Sequence, residues 1–482
     1  MLFNSAAFLI FMAVFYSVWP LLRVQKLTRW GFLTAASFFF YGWWDWRFLF
    51  LIIGSGLIDF VAGLAIERWP SWKKTWLLLS IMGNVGSLAT FKYLDFFIGN
   101  VNWLGRLLGI DWQMPAAGLI LPVGISFYTF QSMSYSIDVY RGRLAPTHNV
   151  LHFFAYLSMF PQLVAGPIVR ACDLLPQLVE DRRPTEQQRW DGLRLIAFGF
   201  FKKVVVADNI AGCVSAAWNA PAVVESAALW WLVMLLFSYQ IYCDFSGYSD
   251  IARGLGKWMG YEFPVNFDHP YIADSFGDFW RRWHISLSTW FRDYVYIPLG
   301  GSRVGPWRSL GNLWITMLIS GLWHGAHWAF LAWGIAHAAL LSLERATRWP
   351  ERLGKLAGRH VRVAAVFMVT VVTWVFFRAG SVPDHLVPEG GMVRAMHVLG
   401  AMFNFGAWNF AAVRPFVGET EYYLLAAMVL RQLFFHYRLD EARWDLRAPV
   451  MNRWMEQFVV AAVLVCCVFL RGPGNAFIYF QF

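Results

Sequence analysis

Charge is what this chain has least of. Of its 482 residues only 15% are Asp, Glu, Lys or Arg, against about 25% in an average soluble domain. Apolar residues make up 58% and are spread along the whole length. A soluble core does not need that distribution, whereas a bundle embedded in a bilayer does. Cysteine is scarce as well. Cys172, Cys213, Cys243, Cys466 and Cys467 form no CxxC pair and mostly lie in apolar segments, which argues against a disulfide framework or a zinc finger. The first apolar run lacks a basic leader and an A-x-A cleavage site. Residues 3–22 therefore read as a first membrane helix, not a removed signal.

Enzyme signatures of the common soluble classes are absent too. There is no G-x-S-x-G nucleophile elbow and no Walker loop. "GLGKWMG" (254–260) has one residue too many for a dinucleotide loop, and no strand precedes it. It reads as a helix-packing or turn element. Without a visible internal repeat, an architecture used by many secondary transporters loses support.

What the chain does have fits a membrane. Its 28 tryptophans suit bilayer interfaces. The net charge of +10 sits in short loops between apolar runs, so it points to topology rather than to nucleic acid. Candidate spans fall near 3–22, 30–44, 48–66, 77–98, 118–138, 150–168, 192–215, 228–248, 310–343 (two short segments), 361–377, 422–435 and 456–470, judged against roughly 20 apolar residues per crossing. The basic stretches "RVQKLTR" (23–29), "ERWPSWKK" (67–74) and "RLDEARWDLRAPVMNR" (438–453) are placed in the cytoplasm by the positive-inside rule. The N-terminus is then outside. The last apolar run crosses outward and leaves "FIYFQF" (477–482) on the extracytoplasmic side. The expectation is an all-α polytopic membrane protein forming a single membrane domain over 1–482. Segment 380–420 has no assigned place.

Between 249 and 309 the pattern changes. Asp244, Asp250, Arg253, Asp268, His269, Asp274, Asp278, Arg281, Arg282, His284, Arg292 and Asp293 crowd this stretch and its approach, which glycine and proline break. It is too polar to face lipid, and irregular backbone at membrane depth needs protein or a water-filled cavity around it. His284 lies in "FWRRWHISLSTWF". It is either an interfacial histidine in a basic, aromatic collar or a functional group. His324 lies in "SGLWHGAHWAFLAWG", flanked by apolar residues and by Gly321 and Gly325, which admit a second backbone or a ligand. It is either a core histidine bonded between helices or a general base. His324 and His327 are three apart and would share a helical face, but no carboxylate joins them, so no metal site is expected.

Five stretches carry a resemblance. "GISFYTFQSMSYSIDVYRG" (124–142), "FPQLVAGPIVR" (160–170), "DFSGYSDIARGLGKWMGYEFPVNFDHPYI" (244–272), "FWRRWHISLSTWFRDYVYIPLGG" (279–301) and "GLWHGAHWAFLAWG" (321–334) occur in this order. The ordered set resembles the membrane-bound O-acyltransferases. More narrowly it is similar to the bacterial branch that O-acetylates alginate, kin to the D-alanyl transfer protein of teichoic acid modification. The likeness has its core at about 118–345 and returns in an aromatic tail at 472–482.

The resemblance implies a ring of about 11–12 transmembrane or re-entrant helices around a central funnel or tunnel. It implies acyl transfer from cytoplasmic acetyl-CoA, the donor substrate, toward the outside. No further cofactor is expected. The implied partners are a periplasmic SGNH-like acetyltransferase, a polysaccharide biosynthesis complex and membrane lipid, and the implied place is the bacterial inner membrane. Alginate, cellulose, peptidoglycan and another exopolysaccharide all suit as acceptor. The family's near-invariant histidine maps to His324 and its second polar position to His284. Trp280, Trp283, Trp290 and Trp323 would wall the tunnel and keep water from the thioester. Arg281, Arg282 and Arg292 would attract coenzyme A phosphates, or would pair with Asp278 and Asp293 and hold the loop.

Tyr479 carries one more expectation. A phenol, with a pKa of about 10, would retain much of the transfer potential of a thioester, so Tyr479 could carry the acetyl group from His324 to the partner. The alternative is a tail of aromatic anchors at the outer interface. Rival functions are a polysaccharide or lipid-linked precursor transporter and a non-catalytic scaffold of a synthase complex.

Overall fold

The computed structural model describes residues 1–110, 112–356, 358–382, 390–437, 453–475 and 477–478. All regular structure among the described residues is helical. Backbone groups in lipid have no water to bond, and a helix satisfies them within one segment. Four helical stretches are long and apolar enough to cross a membrane: Trp46–Arg68, Pro70–Leu107, Ala227–Met259 and Gly358–Gly380. The other expected spans hold shorter or interrupted helices.

Two compact units divide the chain. The first comprises Met1–Gly192 and Ala252–Pro264. It contains α1 (Ala6–Leu22), α2 (Lys26–Gly42), α3 (Leu49–Arg68), α4 (Lys73–Leu88), α5 (Leu94–Leu107), α6 (Ile125–Tyr140), α7 (Val150–Leu157), α8 (Phe160–Leu163) and α9 (Ala171–Val179). Phe160 packs against Phe11, Phe15 and Phe40 with ring centroids 5.1–5.6 Å apart. A polar knot ties α3, α4 and α6 together. The Asp59 carboxylate accepts from Asn84 Nδ2 at 2.7 Å and Ser136 Oγ at 2.6 Å, and also from the Ser80 and Ser132 hydroxyls. In an apolar bundle such bonds hold helices together because the alternative is a polar group in hydrocarbon.

Two expectations need correction in this unit. The 150–168 stretch is not one crossing: α7 has eight residues and α8 has four. Pro161 lacks the N–H that a continuous helix would need there. Nor is 23–29 simply an exposed basic loop. α2 starts at Lys26 and buries Arg29, whose guanidinium donates to Arg23 O at 2.7 Å and Val179 O at 2.8 Å. Arg29 thus satisfies backbone carbonyls instead of facing a compartment.

The second unit comprises Leu193–Ile251 and the described residues from Val265 onward. α10 (Glu186–Phe200) enters it and continues through a π-helical segment, Phe201–Ala207, into α11 (Asp208–Trp218). α12 (Ala227–Met259) follows, then the short α13 (Phe276–Arg282) and α14 (Ile285–Phe291). α15 (Pro306–His324) and α16 (Trp328–Thr347) are the two short segments expected within 310–343. α17 (Trp349–Leu356), α18 (Gly358–Gly380), α19 (Gly391–Phe403), α20 (Glu419–Tyr437) and α21 (Arg453–Phe469) complete it. α19 fills part of the previously unplaced 380–420.

The polar stretch is less irregular than its glycines suggest, for α12 stays helical to Met259. Gly247 is there for packing. A β-carbon on it would come within 2.7 Å of Gly199 O, and one on Gly199 within 2.7 Å of Gly247 O, so two helix backbones meet where neither tolerates a side chain.

Within the aromatic tail, two described residues face the protein interior. Phe477 and Ile478 are buried, with the Phe477 ring 5.5 Å from Phe245 and 5.1 Å from Tyr248. Tyr479, residues 480–482 and most of the 438–453 loop lie outside the described residues.

Candidate active site

The site region is built by a helix that stops early. Ser275 caps α13 by accepting from Asp278 N at 3.0 Å, and Glu344 of α16 accepts from Phe276 N at 2.6 Å and Gly277 N at 3.1 Å. These groups satisfy amide donors that a helix leaves open at its N-terminus. After seven residues α13 ends, and His284 takes a left-handed backbone with φ +43° before α14 begins. A non-glycine residue pays about 1–2 kcal/mol for that conformation. The reversal turns its imidazole into the protein, where it is fully buried.

Asn266 holds that imidazole. His284 Nδ1 lies 3.0 Å from Asn266 Oδ1. The same oxygen accepts from Ser286 N at 3.2 Å and Ser286 Oγ at 2.8 Å, while Asn266 Nδ2 donates to Ser249 Oγ at 3.1 Å. A backbone N–H can only donate, so the oxygen of the Asn266 amide faces His284, and Nδ1 must carry the proton. His284 lies outside the span-length helices, and burial pushes its pKa down to about 3. The ring is therefore neutral at ordinary pH, with Nε2 as its basic nitrogen.

His324 ends α15, and the chain breaks at Gly325 before His327 caps α16. Its ring sits among aromatic rings, with centroids 5.1 Å from Trp323, 5.0 Å from Trp333 and 5.1 Å from Phe377. Gly321 allows this turn. A β-carbon there would come within 2.5 Å of Phe330 O and 3.4 Å of Gly334 Cα. The expected close approach is thus between α15 and α16 themselves. His327 does not share a helix with His324; its Nδ1 accepts from Ala329 N at 3.0 Å. His337 bonds Thr373 Oγ1 at 3.2 Å.

Trp323 connects the two candidate histidines. Its ring lies 6.0 Å from His284 and 5.1 Å from His324. Around them, Trp283 packs on Phe267, Phe279 and Trp374, and Trp280 meets Trp333 and His337. The structure thus gathers His284, His324, Trp280, Trp283 and Trp323 into one aromatic cluster, in which Phe245, Asn266, Trp333 and Phe377 also take part. Trp290 packs with Phe291 and Tyr294.

The arginines stand differently. Arg282 binds Asp278 at 2.8 Å and Asp268 at 3.7 Å. Arg281 pairs with Asp278 at 3.3 Å but its side chain is 71% exposed, and Arg292 pairs with Asp293 at 2.7 Å with 58% exposed. Each thus has an acidic neighbour, and two of them also face outward.

Phe245, Asn266, Trp333 and Phe377 were not singled out in the sequence. Asn266 stands in "FPVNFDHP", inside a motif already flagged, but nothing local marks it as a partner of a histidine 18 positions away.

The helical fold carries helices long and apolar enough to cross a membrane, and His284, His324 and His337 lie buried among aromatic rings: the class is a multi-pass membrane protein with a buried polar and aromatic cluster. Residues 141–377 match the profile of the membrane-bound O-acyltransferase family. The chain is 39% identical over 420 residues to a probable alginate O-acetylase (AlgI) of Pseudomonas putida, covering 85% of this chain and 81% of the relative. The corresponding protein of Pseudomonas aeruginosa is 37% identical over 452 residues, covering 90% and 82%. A peptidoglycan O-acetyltransferase of Helicobacter pylori is 37% identical over 390 residues, covering 75% and 73%. The chain belongs to the membrane-bound O-acyltransferase family: it is a multi-pass membrane O-acyltransferase.

Proposed function

We propose that this enzyme moves an acetyl group from cytoplasmic acetyl-CoA toward an extracytoplasmic polysaccharide, in the bacterial inner membrane, through a periplasmic SGNH-like acetyltransferase partner. Support for the polymer comes from the relatives, which are named for alginate and peptidoglycan O-acetylation. The observation that carries the chemistry is the contact of Trp323 with both His284 and His324.

In this reading His324 takes the proton of an acceptor hydroxyl as its oxygen attacks the thioester carbonyl. The C–O bond forms and the C–S bond breaks, and His324 returns the proton to the leaving thiolate as CoA-SH. Such acid–base help is worth about 10²–10⁴-fold. For His284 the tautomer favours orienting the donor over stabilising the oxyanion. An unprotonated Nε2 can only accept a hydrogen bond, as from a pantetheine amide N–H, whereas stabilising an oxyanion requires a donor. The tryptophans keep water from the thioester, and exposed Arg281 and Arg292 attract coenzyme A phosphates. The first acceptor is the Tyr479 phenol, which then passes the acetyl group to the partner. The N-terminus and the tail lie on the extracytoplasmic side, with 23–29, 67–74 and 438–453 on the cytoplasmic side.

The test is to incubate the purified full-length protein with acetyl-CoA and map acetyl adducts by peptide mass spectrometry. An adduct on the Tyr479 phenol, absent in His324→Ala, is expected. Polymer acetylation by Tyr479→Phe at the wild-type level would contradict the carrier step.

A further inference from the structure

A buried ion cluster binds the chain's own tail. Lys203, in the π-helical segment, places Nζ 2.8 Å from Asp208 Oδ1, 2.8 Å from Asp244 Oδ1 and 3.0 Å from Asn475 O. Of the three N–H donors of the ammonium, one goes to Asp208 Oδ1 and one to the tail carbonyl of Asn475, and Asp244 Oδ1 lies beside it as a second counter-charge. The other Asp244 oxygen accepts from Ile478 N at 2.7 Å. All three charged groups are buried: Lys203 is 8% exposed, Asp208 1% and Asp244 3%.

The π segment prepares the same surface. Val204 O accepts from Gly472 N at 2.8 Å, a carbonyl made available where the regular α-helical bonding pattern is interrupted. Asn209 Nδ2 donates to Leu470 O at 2.9 Å, and Asn475 Nδ2 donates to Asp208 O at 3.2 Å. Gly472 fits with no room to spare, since a β-carbon there would come within 2.6 Å of Asn209 N. The tail backbone is therefore fixed at 470, 472, 475 and 478. A polar clamp this specific in an apolar bundle costs desolvation energy, and a plain hydrophobic anchor would not need it.

The clamp also points somewhere. Phe477 packs on Phe245, and Phe245 meets His284 edge-on at 4.6 Å. The last clamped amide, that of Ile478, directly precedes Tyr479 in sequence.

We propose that Lys203 and Asp244 are positioning residues: they clamp the tail backbone at Asn475 and Ile478 and so set the register in which residue 479 is presented to the histidine site. The register half of this proposal rests on the carrier reading given above; the clamp half does not.

Hydrogen exchange of the purified full-length protein separates the two halves. Asp244→Asn keeps the volume but turns an amide toward the Ile478 N–H. Gly472→Ala attacks a neighbouring contact, where the tail meets Asp208 and Asn209, and leaves the charges in place. Each should speed exchange in peptides spanning 470–478 about 10-fold or more, the scale of one charge-assisted hydrogen bond. Peptides from α15 and α16 should be unchanged, and polymer acetylation should fall by a similar factor. Inserting one glycine after Ile478 should leave tail protection at the wild-type level yet cut acetylation about 10-fold or more, because reacting groups tolerate little misplacement. Unchanged tail exchange in both substitutions overturns the clamp. Full acetylation by the insertion variant overturns the register. If Tyr479→Phe is fully active while the tail still needs Asp244 for protection, the carrier reading fails and the clamp stands.

Discussion

Asn266 Oδ1 accepts the Nδ1 proton of His284 at 3.0 Å, and this one bond fixes which nitrogen of the imidazole is basic. The assignment follows from the Ser286 backbone N–H, which occupies the same oxygen. Asn266 orients a site residue without itself having to meet substrate.

Asn266→Ala should therefore lower kcat about 10-fold or more, the scale of leaving one buried hydrogen-bonding group unsatisfied, with KM for acetyl-CoA changed far less. Asn266→Asp, which keeps an acceptor, should recover part of the loss. A purely structural role would instead reduce the yield of folded protein in both variants.

Trp323 touches both histidines and is buried. Trp323→Ala should cost about 3–5 kcal/mol through the cavity it leaves, seen as a lower thermal midpoint in detergent, and should also reduce turnover. Trp323→Phe retains an aromatic wall and should lose less in both measurements.

Burial holds the folded-state pKa of His284 near 3, below its unfolded value of about 6.5. The unfolded chain then binds the extra proton first, so stability from this group is fully present above pH 6.5. It declines as pH falls toward 3. The thermal midpoint of the wild type should drop more steeply between pH 6.5 and pH 4 than that of His284→Gln. Parallel slopes would remove His284 from the account of acid sensitivity.

Gly321 and Gly311 both lie on α15 but meet different surroundings. Gly321→Ala would push a β-carbon to within 2.5 Å of Phe330 O, whereas nothing lies within 4 Å of the same atom at Gly311. The first substitution should cost about 1–3 kcal/mol by overpacking and disturb the His324 end of the helix. The second should be neutral or stabilise by up to about 1 kcal/mol, because glycine is the poorer helix former. Differential scanning fluorimetry of the two variants checks this contrast.

What the sequence made legible was local. Apolar runs located most helices, and the split of 310–343 into two segments is visible in "SGLWHGAHW". Ordered motifs singled out His284 and His324. The contacts that organise them are distant in sequence and carry no local mark: Asn266 with His284, Lys203 with Asp244, Asp59 with Ser132 and Ser136. Glycines misled in one place, where those between 247 and 256 pack inside or beside a continuous helix instead of breaking it. At position 477 an aromatic residue of the tail lies buried against Phe245, which terminal aromatics do not reveal, since they look alike in sequence whether they face lipid or protein. The positive-inside count likewise included Arg29, which the fold spends on backbone carbonyls.

The central claim is that His324 removes the acceptor proton during acetyl transfer. Release of free coenzyme A from acetyl-CoA by purified protein, compared between wild type and His324→Gln at matched folded fraction, tests it most directly. The predicted result is a loss of about 10²-fold or more in the variant, with monodispersity and thermal midpoint close to wild type. Coenzyme A release at the wild-type rate by a well-folded His324→Gln protein would contradict it.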